Sequence, residues 1–411
     1  MKKHVQFAVF FVLIAIVAAC ASPIPMDETQ PSFDQVETVV AMTFQALAPE
    51  ATNLSTRVPD VPAGLLPHSL YFLGNDNQAV SQIYRMERDG VTKTQLTFEP
   101  TNVWDYDVSA ADGSLAYEVD NELVLVDADG SNRRVLVQGN PDSDIRASYY
   151  NPVFSPDGQT LAFAYGGLNL FSMSTGTSSL VLTDQMTDIG DGTMLPVETY
   201  TPESYSPDGT KLLVALGHWE VASSHAIYDP AANTLIRHAE VTDYIYCCSF
   251  HGGPVWSADS SSFFGVASVH DTAYKSGELW RVDAATGAIT RMLKPQNGII
   301  YLPKKPYLAP SGQLYFFFGM YDTASGLFDA PVLQMVRSGP DGATNRMVLR
   351  DENFVLMNEA LWAPDASFAI IATAPSRDWD QGGGVLALYY TEDQKETVPL
   401  APFGREMKWG P

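Results

Sequence analysis

The residues best suited to chemistry in this chain are scattered singles and pairs rather than a motif: His218-Trp219-Glu220, His251, His270-Asp271 with Tyr274, Tyr321-Asp322 and Arg377-Asp378-Trp379-Asp380. Imidazoles, carboxylates and aromatic faces in that mixture can stack a sugar or hold a peptide side chain, so His218, Trp219, His251, His270, Tyr274, Tyr321, Arg377 and Trp379 are the candidate ligand-binding residues. A second group, Asp105, Asp107, Glu203, Glu359 and Glu406, recurs just ahead of a repeated turn and could make an acidic channel mouth. Acids so placed bind a cation, or hold channel water and neighbouring backbone amides. A third group, Asp184, Asp188 and Asp191 with Gly190 and Gly192, is a loose calcium-type loop whose spacing is not that of an EF-hand.

Motifs that would turn these groups into an enzyme are missing from the sequence. It contains no Gly-x-Ser-x-Gly elbow, no His-Glu-x-x-His, no Cys-x-x-Cys and no Gly-x-x-x-x-Gly-Lys phosphate loop. No catalytic residue or cofactor is therefore assigned. The adjacent Cys247 and Cys248 allow a strained vicinal disulfide, but two buried strand thiols are the simpler expectation.

What must position the candidates is a repeat. A turn returns about every fifty residues at Phe154-Ser155-Pro156-Asp157-Gly158, Tyr205-Ser206-Pro207-Asp208-Gly209, Trp256-Ser257-Ala258-Asp259, Leu308-Ala309-Pro310-Ser311-Gly312 and Trp362-Ala363-Pro364-Asp365. Short β-runs follow each one and helical periodicity is nearly absent, which predicts an all-β chain folded as a β-propeller. Aligned on the turn proline, the equivalent positions are Ala111, Pro156, Pro207, Ala258, Pro310, Pro364 and Pro411, giving seven four-stranded blades. Arg405 to Pro411 then supplies the inner strand that the first repeat, Ser69 to Phe98, lacks, so the C-terminal strand closes the ring and removes exposed sheet edges. Aromatics two residues before the turn position are expected to wedge against the neighbouring blade.

Two sets of tight turns are expected on one face. Asp112-Gly113, Asp157-Gly158 and Asp208-Gly209 join first to second strands, and Asp89-Gly90, Asp129-Gly130, Thr175-Gly176, Thr286-Gly287 and Asp341-Gly342 join third to fourth. Longer connections, among them 184–202, 240–254 and 375–384, fall on the opposite face, where binding loops of repeat scaffolds usually reside.

The aromatic-Ser-Pro-Asp-Gly turn, the strand Leu161-Ala162-Phe163 and the strand Leu279-Trp280-Arg281-Val282-Asp283 together resemble the TolB-type propeller repeat over residues 68 to 411. The resemblance implies the fold and little about activity, since similar repeats occur in periplasmic scaffold proteins and beside prolyl oligopeptidase-like hydrolases. Seven repeats stand here where that family has six, and the N-terminal segment is too small for TolB's own N-terminal domain.

Lys2 and Lys3 precede an apolar run from Val5 to Val17, and Ala18-Ala19 lead into Cys20, the order of a bacterial export signal. Val17-Ala18-Ala19-Cys20 resembles a lipobox, which implies residues 1–19 as a lipoprotein signal and Cys20 as the lipidated first residue. Residues 20–66 read as a Pro/Ser/Thr-rich tether with a short helix around Val36 to Leu47, and residues 67–411 as the propeller. The formal net charge of -24 repels nucleic acid. Basic pairs such as Arg133-Arg134 and Lys304-Lys305 read as solvated strand ends. The expected protein is an extracytoplasmic, lipid-anchored, non-enzymatic binding or scaffold propeller in the bacterial cell envelope or periplasm, its partner an envelope protein, peptide or glycan. The alternative is a propeller enzyme acting on an extracellular glycan.

Overall fold

The computed structural model describes residues 64–139, 150–190, 192–218, 224–238, 254–269, 276–293, 298–322, 332–376, 382–392 and 395–411. The chain divides into units Met1–Val61 and Pro62–Pro411, and every described residue belongs to the second. Those residues form strands without helices. The first three are β1 (Leu70–Asn75), β2 (Ser81–Met86) and β3 (Lys93–Gln95). Two meanders follow: β4 (Tyr106–Val108), β5 (Leu115–Val119), β6 (Glu122–Val126) and β7 (Arg134–Gln138), then β8 (Val153–Phe154), β9 (Thr160–Ala164), β10 (Gly167–Ser172) and β11 (Thr177–Thr183). A five-stranded sheet comprises β12 (Gln185–Asp188), β13 (Met194–Tyr205), β14 (Leu212–Gly217), β15 (Ser224–Asp229) and β16 (Thr234–Arg237). Next come β17 (Val255–Trp256), β18 (Ser262–Val269), β19 (Ser276–Asp283) and β20 (Ile289–Leu293), and then β21 (Ile299–Leu308), β22 (Leu314–Asp322), β23 (Gln334–Ser338) and β24 (Met347–Val348). The last are β25 (Met357–Trp362), β26 (Phe368–Thr373), β27 (Gly384–Tyr390) and β28 (Val398–Trp409).

β28 is long enough to serve two neighbours. Its first half pairs with β27, Leu388 opposite Val398, and its second half pairs with β1, Leu70 opposite Trp409 and Tyr71 opposite Lys408. The strand order β25-β26-β27-β28-β1-β2-β3 thereby joins the last described strand to the first.

Successive antiparallel meanders packed face to face make this a β-propeller, and the apolar residues show why it forms. Seven apolar clusters among the described residues each draw on two sheets consecutive in the chain, except one that joins β26 and β27 to β1 and β2. A sheet covered on both faces needs middle strands that are apolar throughout rather than alternating. β5 is buried along its whole length and apolar except for Glu118, whereas outer strands such as β11 stay largely exposed. Burying aromatics such as Phe316 and Phe317 contributes about 2–3 kcal/mol each.

The repeated turn is stabilised by hydrogen bonds among residues 155–160. Ser155 Oγ donates to Asp157 Oδ1 (2.6 Å) and accepts from the Thr160 amide (2.9 Å), while Asp157 Oδ1 also accepts from the Gln159 amide (3.0 Å). Gly158 supplies the left-handed backbone at φ 67°. Ser206 with Asp208 and Ser257 with Asp259 repeat the arrangement at 2.7 Å. The aromatic wedges sit where the repeat places them. Trp256 Nε1 donates to Ser204 Oγ (3.2 Å), Trp362 Nε1 to the Lys305 carbonyl (2.8 Å) and Trp409 Nε1 to the Trp362 carbonyl (2.8 Å), each tying one opening strand to the previous one.

One segment read as a connection is instead strand. Residues 184–202 fold back as β12 on β13, because Gly190 (φ 104°) and Gly192 (φ 85°) allow a tight reversal whose amides donate to Asp188 Oδ1 at 2.8 and 3.2 Å.

Candidate functional site

The strands that open the sheets lie side by side, and several carry a ladder irregularity at one level. β13 shifts register between Pro202 and Ser204, β21 between Lys304 and Tyr307, and β25 between Met357 and Glu359. Lys305 and Glu406 adopt φ of 50° and 52°, the left-handed backbone that a bulge imposes. Lys305, Glu359 and Glu406 each stand five positions before Pro310, Pro364 and Pro411, so the repeat delivers them to equivalent places.

Around them the charges form one network. Lys408 Nζ donates to Asp107 Oδ1 (3.0 Å), and Asp107 Oδ2 accepts from the Phe154 amide (2.7 Å). Glu359 accepts from the Glu406 amide (2.8 Å) and the Gly383 amide (3.0 Å). Tyr106 donates its hydroxyl proton to the Glu406 carbonyl (2.7 Å), and Lys408 Nζ lies 5.2 Å from the Tyr106 ring centre. Asp105 accepts from the Tyr106 amide at 2.7 Å. Four acids and two ammonium groups therefore share one region.

Burial tunes these groups. It pushes the Asp105 carboxyl up to about 6, with the Glu406 and Asp107 charges adding to the effect and Lys408 opposing it. Glu359 is raised by burial and then by Glu406, against Lys305 and the two amides. Lys305 is lowered by burial, with Glu359 and Glu406 resisting. For Lys408 burial acts downward, but Asp107 and Asp105 together hold the ammonium above its usual range. The region can hold hydroxyl or amine groups and can hold a proton on Asp105 near neutral pH. Adjoining it is a cavity of about 280 Å³ whose walls include Val255, Lys305, Tyr307, Leu361, Trp362 and Trp409. Among the described residues no group of three or more His, Cys, Asp or Glu side chains is placed to hold a metal ion.

The structure brings Asp105, Asp107, Glu359 and Glu406 together but sets Glu203 apart. Its Oε1 meets His225 Nε2 at 3.0 Å, and its Oε2 is buried with no hydrogen-bond partner among the described residues. His218 is half-buried just past β14, and Tyr321 lies within β22. Trp219, His251, His270, Tyr274, Arg377 and Trp379 lie outside the described residues, as do Cys20, Cys247, Cys248 and Asp191. Asp184 accepts from the Tyr200 amide (3.0 Å), so it and Asp188 serve the β12–β13 hairpin.

Sequence reasoning missed Lys305, Lys408 and His225. Lys304 is exposed, whereas Lys305 is half-buried within β21 and feels the charges of Glu359 and Glu406, which corrects the reading of that pair as a solvated strand end. Its alignment with Glu359 and Glu406 in the repeat was the available signal.

Asp105 gives a pH-dependent test. Because its folded-state pKa of about 6 lies above the ordinary aspartate value of 3.8, the protonated form favours folding. That contribution is complete below about pH 4 and lost as pH rises through 6, leaving an ionised carboxylate that costs about 2–3 kcal/mol. Asp105→Asn keeps the acceptor for the Tyr106 amide, so it is expected to raise the unfolding midpoint by a few degrees at pH 8 and not at pH 4. Equal effects at both values would mean that this carboxylate is not held away from water.

No protein-family signature matches the chain, and no curated protein sequence matches it. Solved structures do. An oligogalacturonate lyase in complex with manganese is 11% identical, with 82% of this chain and 86% of that one covered at a TM-score of 0.53. A puromycin-hydrolyzing peptidase of Mycobacterium tuberculosis is 11% identical over 81% of this chain at a TM-score of 0.51, and the match spans 53% of the peptidase. TolB from Acinetobacter baumannii is 13% identical over 83% of this chain and 82% of its own, at a TM-score of 0.42. At these identities the likeness to the lyase and the peptidase is one of fold alone.

Proposed function

We propose that this protein is an extracytoplasmic, lipid-anchored binding propeller of seven blades, closed by its own C-terminal strand, that recognises a protein, peptide or envelope glycan at the channel mouth. The observation that carries the binding reading is that the channel acids already have fixed partners: Asp107 holds Lys408 and the Phe154 amide, and Glu359 holds two backbone amides. Groups fixed in this way make a rigid, polar recognition surface with little reorganisation on binding. The pairing of β28 with both β27 and β1, and the apolar cluster that joins β26 and β27 to β1 and β2, support the closed seven-bladed ring. Anchoring and location rest on the lipobox resemblance of Val17 to Cys20.

The alternative, an enzyme acting on an extracellular glycan, draws on Asp105, a carboxyl that exchanges a proton near pH 6 beside an ammonium group. One experiment separates the two. The full chain in detergent is screened by thermal shift against peptides and envelope glycans, with glycan samples also assayed for new chain ends. A stabilising ligand whose effect disappears in Glu359→Gln and Lys305→Met, with no glycan cleavage, is the expected result. Cleavage abolished by Asp105→Asn would replace binding with catalysis.

A further inference from the structure

The cavity of about 280 Å³ beside the charged network draws its wall from four opening strands, with Val255 from β17, Lys305 and Tyr307 from β21, Leu361 and Trp362 from β25, and Trp409 from β28. The polar atoms of its aromatic walls are already committed. The Tyr307 hydroxyl donates to the Pro364 carbonyl (2.6 Å), Trp362 Nε1 to the Lys305 carbonyl (2.8 Å) and Trp409 Nε1 to the Trp362 carbonyl (2.8 Å). These side chains offer an occupant apolar ring surface only. Among the described residues, Lys305 is the one charged residue in the wall.

Lys305 is held in an unusual conformation. It precedes Pro306, whose ring favours an extended predecessor, yet its φ is 50°. The Trp362 indole on its carbonyl and the register shift of β21 fix it there. Left-handed backbone is unfavourable for a residue with a Cβ and concentrates at functional sites. Burial lowers the Lys305 pKa against the pull of Glu359 and Glu406, which favours the neutral, nucleophilic amine. Charge and polarity then select the occupant. An anion meets Glu359 and Glu406 beside the lysine and a net charge of -24 on the whole chain. A sugar finds no partner for its hydroxyls on the aromatic walls. A neutral, planar, apolar body suits them, and since roughly 150 Å³ holds a benzene, this cavity accommodates a ring with a short substituent.

We propose that Lys305 captures a small apolar aldehyde in this cavity as an imine. The amine nitrogen adds to the carbonyl carbon, and a proton passes from nitrogen to the carbonyl oxygen to give a carbinolamine. Loss of that hydroxyl as water leaves the carbon–nitrogen double bond, with no oxidant or reductant consumed. Glu359 and Glu406, whose charges reach Lys305, are the acids able to exchange these protons. Water adding back to the imine releases the aldehyde, so capture is reversible. This activity goes beyond the polymer recognition proposed for the channel mouth and holds whether or not that surface binds one.

The test incubates the full chain in detergent at neutral pH with benzaldehyde and cyanoborohydride, which reduces an imine to a stable secondary amine, and locates adducts by peptide mass spectrometry. Glyoxylate, an anionic aldehyde, is the comparison probe, and the exposed Lys304 is the internal reference. Benzaldehyde is expected to label Lys305 at least about tenfold faster than Lys304, the factor that one unit of amine pKa supplies. With glyoxylate that preference should fall several-fold. Ala360 also lines the cavity, so Ala360→Leu narrows it and should slow the labelling of Lys305 several-fold while leaving Lys304 unchanged. Unfolding midpoints verify that the variant folds, and excess toluene, which fills the cavity without reacting, makes the same test on the unaltered chain. Equal labelling of the two lysines, equal preference with both aldehydes, or labelling of Lys305 indifferent to toluene overturns the proposal.

Discussion

Deleting Arg405 to Pro411 is expected to abolish cooperative folding or to lower the unfolding free energy by about 5–10 kcal/mol, the whole stability of many domains. The segment supplies the ladder partner of β1, with Leu70, Tyr71 and Leu73 opposite Trp409, Lys408 and Arg405. It also carries hydrogen bonds from Trp409 Nε1 to the Trp362 carbonyl (2.8 Å), from the Tyr106 hydroxyl to the Glu406 carbonyl (2.7 Å) and from the Gly410 amide to the Ser69 carbonyl (3.0 Å). Each net hydrogen bond is worth about 1 kcal/mol, and removing a packed tryptophan costs about 3–5 kcal/mol. Met407 and Trp409 pack against the cluster around Leu70 and Phe72, so their loss opens that core to water and leaves β1 as an unpaired edge. Circular dichroism through a urea titration reads the effect, and a synthetic peptide of residues 405–411 should restore part of the lost stability. A truncated protein that unfolds at the wild-type urea concentration would show that β1 finds its partner elsewhere.

The second large effect is expected at Arg291. Glu278 on β19 is fully buried, and its carboxylate accepts from Arg291 Nε at 2.6 Å, from the Arg291 terminal nitrogen and from Trp280 Nε1 at 2.9 Å. Arg291→Ala removes the compensating cation and leaves the carboxylate in a low-dielectric interior, for a loss of about 3–5 kcal/mol. Replacing both partners, Arg291→Met with Glu278→Gln, should recover most of that loss, because neither charge is then stranded. Urea unfolding of the single and double variants measures the difference. A single variant within about 1 kcal/mol of wild type would mean that water reaches Glu278.

Much of the candidate site was legible because the repeat is a ruler. Counting from the turn positions placed Asp105, Asp107, Glu359 and Glu406 on the opening strands, and these four do converge. The same ruler applied to Lys305 would have placed it opposite Glu359, yet a basic pair near a strand end looked like ordinary solvated surface. Glu203 stands four positions before Pro207, one off the count that places Glu359 and Glu406, and beside the bulge after Pro202 its carboxylate meets His225 on β15. A bulge of one residue redirects a side chain, and nothing local in the sequence marks it.

By itself the sequence determined what short-range forces decide. The Ser-Pro-Asp-Gly turn closes through hydrogen bonds spanning five residues, its glycine accepts the left-handed backbone, and the apolar runs between turns demand sheets covered on both faces. Blade architecture and the aromatic wedges follow from those local rules repeated. Only the tertiary structure decided which charges meet. Lys408 reaches Asp107 and Tyr106 reaches Glu406 across about three hundred residues of chain, and Lys305 lines one cavity with Trp362 and Trp409. Such pairings depend on how sheets rotate and pack against one another, a property of the whole core that no segment of sequence carries.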